Sequence, residues 1–336
     1  MYHKHFKGTH YNCGLSYGSV LFNHGISILK NIPFKTSEEH ESFAQSCVPI
    51  YKEYFPQIIE EIEGIAHGQR CSEKSIQNLL FSMYAIIPQC FCSCFAVSNG
   101  KSIILGRNSD FLPSLKKFNT NVIYKFSGGS FSFMGNTTAF VEMEDGINEH
   151  GLALGLTSVY PKYIKSGFNA GLLLRFLLEK CKTVNDVADC VKNIPIGSCQ
   201  TITAADKSGS IALIECSPFK TEIIYPNNYP YVCATNMFSS ESMLKFNSKG
   251  VDNWYSNERY STLVAALNKN CRSLNLNGAV DILSGKKGFL CQYNRGSGKD
   301  TVWSVIYDLR KLEIYRAEKN PSISQFKKDT RFKFSI

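Results

Sequence analysis

The sequence predicts a layered α+β fold in which sheets are covered by helices. Three observations lead there. Apolar residues recur at helical spacing through about the first 90 positions, short strands take over from residue 91, and helical stretches then separate groups of strands. The composition supplies a core, since 43% of the 336 residues are hydrophobic, 12% aromatic and 19% charged. That length fits one compact unit or two domains.

The first helical region opens at Thr36-Ser37-Glu38-Glu39, a hydroxyl cap with acids in the first turn. Phe43, Val48, Ile50, Tyr51, Tyr54, Ile58, Ile59, Ile62 and Ile65 follow with helical recurrence, bent at Pro56. Residues 75 to 100 carry no Asp, Glu, Lys or Arg and so are the one candidate for a membrane span. Pro88 and Gln89 interrupt that run, Ile76, Leu79, Leu80 and Met83 before it recur as on a helix, and the residues after it alternate. A buried helix leading into a central strand is therefore expected, the helical segment 1–91 packing on the rest.

Cys92 to Val97, a Ser98-Asn99-Gly100 turn, and Ile103 to Leu105 running into Gly106-Arg107-Asn108-Ser109-Asp110 read as a hairpin. Its far ends meet, so Cys92 should share one rim with Arg107 and Asp110. Further strands are expected at 122–126, 131–134, 152–157, 201–205, 211–216 and 231–235. Helices are expected at 171–182, from the Thr183 cap to about 193, and at 260–268, before a last hairpin of 302–307 and 312–315. Gly146 to Gly151 reads as an exposed turn carrying His150.

Net charge is +9 with scattered Lys and Arg, and the dense run of Lys327, Lys328, Arg331 and Lys333 lies at the tail. A solvated terminus is expected rather than a nucleic-acid or membrane contact. The thirteen cysteines are odd in number and follow no zinc spacing, and Met1-Tyr2-His3-Lys4-His5 lacks the apolar core of a secretory signal. Free thiols in a reducing cytoplasm are expected. Cys90, Cys92 and Cys94 would share a strand face, but neither a metal nor an organic cofactor is implied.

A Cys nucleophile needs a base, usually imidazole. Only His150 follows Cys92 in the chain, and a Cys-His hydrolase would use it or His67. The alternative base is the α-amine of the nucleophile itself, exposed when the bond before it is cut; its pKa of about 7.7–8.0 leaves a useful unprotonated fraction near neutrality. From the residues alone, Arg107 and Asp110 also fit a local ion pair, Asn236 a simple chain turn and Arg259 a surface helix charge.

Several short motifs stand in a telling order: Phe6-Lys7-Gly8-Thr9-His10-Tyr11-Asn12-Cys13-Gly14 with Tyr17-Gly18, then Glu60 to Gly68, Cys92-Ser93-x-Phe95, Gly106-Arg107-Asn108-x-Asp110, Gly146-x-Asn148-x-x-Gly151, Thr235-Asn236 and Ile306-Tyr307-Asp308. Through them the chain resembles the acyl-coenzyme A:6-aminopenicillanic acid acyltransferases and, more distantly, the choloylglycine hydrolases, both N-terminal nucleophile (Ntn) hydrolases. The resemblance implies a four-layer αββα sandwich of two mainly antiparallel sheets and a precursor that cleaves itself before a cysteine. Chains 1–91 and 92–336 would remain associated.

Carried over by resemblance, the cleavage site lies between Phe91 and Cys92, with Cys92 as nucleophile and Cys90 as the alternative. Asp110 orients the freed amine or the substrate nitrogen, Arg107 favours thiolate, Asn236 and the Thr157 backbone N–H serve an oxyanion, and Arg259 stands at an active-site arginine. The acyltransferases carry Gly before the cysteine where this chain has Phe91, which bears on self-cleavage. The implied substrate is a small N-acyl amide, hydrolysed or trans-acylated, with acyl-coenzyme A as a candidate donor. The other class of reading is a non-processing binding protein on the same scaffold.

Overall fold

The computed structural model describes residues 1–32, 37–86 and 91–335. Pro88, Gln89, Thr36 and Cys90 lie outside the described residues. In chain order the elements are β1 (Tyr2–Gly8), α1 (His10–Asn23), α2 (Glu38–Tyr54), α3 (Pro56–Gln69), α4 (Glu73–Ser82), β2 (Phe91–Ser98), β3 (Ile103–Phe111), β4 (Thr120–Phe126), β5 (Phe133–Thr137), β6 (Asp145–Asn148) and β7 (Leu152–Ser158). They continue with α5 (Ala170–Lys180), α6 (Val184–Asn193), β8 (Gln200–Asp206), β9 (Ile211–Ser217), β10 (Lys220–Ile224), β11 (Tyr231–Ala234), α7 (Ser256–Asn270), α8 (Leu276–Leu283), β12 (Asp300–Asp308), β13 (Glu313–Ala317) and β14 (Lys327–Asp329).

One sheet runs β1-β4-β5-β6-β7-β8-β9-β10 and the other β11-β2-β3-β12-β13-β14. Every pairing of these strands is antiparallel except β1 with β4. Cys94, Ala96 and Leu105 of one sheet pack on Ile147, Ala153, Ala205 and Leu213 of the other. Helices α7 and α8 cover the outer face of the smaller sheet through Leu263, Leu267, Ile282 and Leu283 on Phe95, Val97, Ile104 and Ile306. Helices α5 and α6 cover the larger sheet. The layers are therefore α, β, β, α, with two mainly antiparallel sheets as expected.

Helices α1 and α3 cross unusually closely, because Gly14, Gly18, Gly64 and Gly68 face one another. A Cβ on Gly14 would collide with the Glu61 carbonyl, and one on Gly64 with the Tyr11 carbonyl. Two of the motifs that carry the resemblance are thus the two sides of one backbone contact.

The helical reading of the first 90 residues needs one correction, since Tyr2–Gly8 is a strand in parallel register with Thr120–Phe126. Only Phe6 of that strand is buried, so backbone pairing at a sheet edge holds it rather than an apolar alternation visible in sequence. Gly146 and Asn148 are likewise not in an exposed turn but in buried β6. Gly146 is there because a Cβ would meet Leu178 Cδ1 and the Met134 carbonyl. Asn148 Nδ2 donates to the Leu178 and Cys181 carbonyls from inside the fold. The basic tail forms edge strand β14 with Lys327 and Lys328 exposed. Among the described residues, no helix is long and apolar enough to cross a membrane.

Candidate active site

β2 and β3 form the hairpin that Asn99-Gly100 predicts: Asn99 Oδ1 accepts the Lys101 and Ser102 N–H groups, and Gly100 sits at φ +82°. The register sets Phe91 opposite Asp110, Cys92 opposite Ser109 and Cys94 opposite Arg107. Opposed residues share a face of an antiparallel pair. Cys92, Arg107 and Ser109 therefore project between the sheets, while Phe91, Ser93 and Asp110 face α7.

Cys92 is wholly buried, and each of its polar parts has a partner. Its N–H donates to Asn236 Oδ1 at 2.9 Å, Arg259 Nη1 donates to its carbonyl at 2.6 Å, and Arg107 Nη2 donates to Sγ at 2.7 Å. Arg259 Nη2 also donates to Asn236 Oδ1 at 2.8 Å, and Asn236 Nδ2 donates to the Ser158 carbonyl at 2.7 Å. The peptide unit, the thiol and two side chains that lie 144 and 167 residues further on are thus locked together.

Arg107 and Asp110 do not pair with each other, because three residues of strand turn them to opposite faces. Arg107 instead donates from Nη1 to Asp145 Oδ2 at 2.8 Å, from Nε to the Leu156 carbonyl at 2.9 Å, and from Nη2 to Glu144 Oε2 at 3.3 Å. Asp110 lies 3.4 Å from Arg259 Nη1 and accepts from Tyr293 Oη at 2.9 Å and Thr301 Oγ1 at 2.6 Å.

Arg259 is fully buried on α7, not a surface charge. Trp254 and Tyr255 hold φ of +51° and +61°, a left-handed pair costly for bulky residues. That turn aims the carbonyls of Trp254 and Asn253 at Arg259 Nε and Nη2, at 2.9 and 3.1 Å. The Thr157 hydroxyl donates to the Thr235 carbonyl at 2.8 Å, bracing the residue before Asn236. The Leu156 N–H goes to the Glu144 carbonyl, so strand alternation turns the Thr157 N–H towards β8.

The model of the acyl-coenzyme A:6-aminopenicillanic acid acyl-transferase family matches residues 97–322. The chain belongs to that family. The match takes in Arg107, Asp110, Thr157, Asn236 and Arg259 and begins after Cys92. No curated protein matches the sequence. Among solved structures, the chain is similar to a mutant of the conjugated bile acid hydrolase from Clostridium perfringens, at 14% identity over 73% of this chain and 98% of that one, with a TM-score of 0.46. The penicillin V acylase from Agrobacterium tumefaciens is 14% identical over 73% and 99% with a TM-score of 0.47. An N-acylethanolamine-hydrolyzing acid amidase ortholog from Caenorhabditis elegans is 18% identical over 65% and 93%, also at 0.47.

In this acyl-transferase family member the thiol's surroundings are strongly polar. Burial pushes the Cys92 thiol up to about 12; Arg107 opposes the rise, whereas Glu144 and Asp110 add to it. Burial also raises the Asp110 carboxyl above its usual range, against the pull of Arg259.

Among the described residues, the ionisable groups that interact with Cys92 include Arg107, Glu144, Asp110, Arg259 and Tyr293. His150 packs edge-on against Phe131, and His67 meets Tyr11 Oη at 3.0 Å on α3. His67, Glu63 and Glu73 bring candidate metal-ligand atoms within 4.8 Å of one another on the α3–α4 surface, apart from the partners of Cys92. Sequence reasoning missed Glu144, Asp145, Tyr293 and Trp254. The available signal was the acid pattern Glu142-Met143-Glu144-Asp145 in an otherwise apolar stretch, where buried carboxylates need cations.

Proposed function

We propose that this chain cuts itself between Phe91 and Cys92 and then hydrolyses a linear N-acyl amide through a Cys92 thioester. The observation that carries the reading is the triple hold on Cys92: nitrogen on Asn236, carbonyl on Arg259, sulfur on Arg107. In the first step Sγ attacks the Phe91 carbonyl carbon, the C–N bond to Cys92 breaks, and the thiol proton passes to the departing nitrogen. Water hydrolyses the thioester, leaving a Phe91 carboxylate and a free α-amine on Cys92.

That amine, with an ordinary pKa of about 7.7–8.0, supplies the base that the intact chain lacks. In turnover it takes the thiol proton as Sγ bonds to the substrate's acyl carbon and hands it to the amine that leaves. Asn236 serves the tetrahedral oxyanion while Arg107 holds the sulfur; Asp110 and Arg259 act as positioning residues, and Thr157 acts through Thr235. Water resolves the acyl-enzyme in the hydrolase; an amine acceptor, with acyl-coenzyme A as donor, would make the same site a transferase. Segments 1–91 and 92–336 stay together after the cut, and the thirteen cysteines, free wherever they are described, suit a reducing compartment such as the cytoplasm.

A second reading, an uncut binding protein, draws on Phe91, whose ring is stacked on Trp254 at 4.5 Å in the intact chain. Intact-mass measurement with N-terminal sequencing of the purified protein decides. A long chain beginning at Cys92 is the expected result, whereas a catalytically active preparation of unbroken chain would refute the mechanism.

A further inference from the structure

If the chain cuts itself, Phe91 is the acyl group of its first reaction, as a substrate's acyl group is of the next. In both reactions Cys92 Sγ attacks a carbonyl carbon, which makes the side chain of Phe91 a guide to where an acyl substituent lies relative to the thioester. This inference rests on the self-processing reading and deepens it.

Phe91 is half-buried. Its ring lies on Trp254 with centroids 4.5 Å apart and planes 12° apart, and Trp254 is itself 6% exposed. Tyr293 stands against Trp254 at 5.8 Å and 66°, and Phe289 against Tyr293 at 5.4 Å and 82°. Lys299 Nζ lies 5.2 Å from the Trp254 ring centroid, held to Asp252 at 2.6 Å. The group is tied to the chemistry at two points: the Trp254 carbonyl accepts from Arg259, which grips the Cys92 carbonyl, and Tyr293 donates to Asp110. The left-handed backbone at Trp254 and Tyr255 fixes where the indole points.

We propose that Trp254, with Tyr293 and Phe289, forms an aryl slot that selects acyl groups carrying a ring two carbons beyond the carbonyl, the spacing of Phe91 itself. The substrate class is a linear amide of a 3-arylpropanoyl acid. A planar ring recovers the offset stacking that Phe91 makes, whereas a flexible alkyl chain of similar size gains only area and loses more rotamer freedom on binding. The three aromatics act on specificity and touch no bond that breaks.

The test compares 3-phenylpropanoyl and octanoyl amides of one chromogenic amine with the matured wild-type protein and with Trp254→Leu, maturation being checked by intact mass. The expected result is a kcat/KM preference for the aryl amide of about tenfold in the wild type, falling to near unity in Trp254→Leu. A matured enzyme that prefers the octanoyl amide, or cleaves neither, overturns the slot while leaving self-processing in place. An aryl preference that Trp254→Leu leaves unmoved also overturns it. A chain that never cuts overturns the functional reading, and this inference with it.

Discussion

Arg107 and Arg175 are both wholly buried, and each bridges two carboxylates. Arg175 joins Glu61 of α3 at 2.5 Å to Glu179 of its own helix at 2.6 Å. Its Nη1 donates to the Val141 carbonyl, and its guanidinium lies over the Tyr124 ring at 4.1 Å. His10 caps Glu179 at 2.7 Å, and Tyr124 Oη donates to Glu61 at 2.9 Å. Every group there ends on a partner with nothing to react, and the network ties α1, α3, α5 and β4. Arg107 likewise bridges two carboxylates, Glu144 and Asp145, but one of its N–H groups ends on a thiol. On the proposed mechanism, a buried ion network becomes a reaction centre through the last partner it is given, not through its charge.

Replacing Cys92 with Ala should separate the two regions most sharply. Chain scission and turnover are lost together while the fold is kept; mass spectrometry of the purified variant checks the first and circular dichroism the second. A Cys92→Ala chain that is still cut would end the distinction. Arg175→Met should do the reverse, lowering stability by about 3–5 kcal/mol because Glu61 and Glu179 are left as uncompensated buried charges, while the folded fraction is still cut. Equilibrium unfolding in the uncut Cys92→Ala background gives the first number, and intact mass of the single variant the second.

Asn236→Ala should slow turnover by about 100- to 1000-fold in steady-state assays if its amide serves the oxyanion; a change of less than about threefold would return it to a structural role. Glu142 offers a subtler probe between the networks. It is wholly buried, its Oε2 has no hydrogen-bond partner among the described residues, and burial raises its carboxyl well above the ordinary range. A carboxyl raised on folding favours the native state below its unfolded pKa and loses that contribution as pH rises through its folded value. Glu142→Gln should therefore stabilise the protein at pH 8 and match the wild type at pH 4, as read by thermal unfolding across pH.

The β2–β3 hairpin was legible because alternation and an Asn-Gly turn are local signals, and with it the meeting of Cys92 and Asp110 at one rim. Most strands of the two sheets were legible to within a few residues for the same reason, but the edge strands β10 and β14 were not expected, the latter lying in a basic tail read as solvated. β1 escaped because a parallel edge strand is held by its backbone, and β6 because Gly146 and Asn148 carry turn chemistry while serving a buried strand. The partner of Arg107 could not be read either. Asp145 lies 38 residues away on the facing sheet, and only tertiary packing selects it over the adjacent Asp110. Trp254 reaches Phe91 through a left-handed turn that no propensity favours at Trp and Tyr.

The parallel ladder of Tyr2–Gly8 on Thr120–Phe126 spans the proposed cut, as do the His10–Glu179 and Glu61–Arg175 contacts. A nicked molecule would therefore keep its shape yet no longer be one polymer. Its renaturation becomes a second-order encounter between fragments, so recovery from denaturant should fall on dilution and melting should show hysteresis that the unnicked Cys92→Ala chain lacks. Maturation would then make unfolding practically irreversible at low concentration.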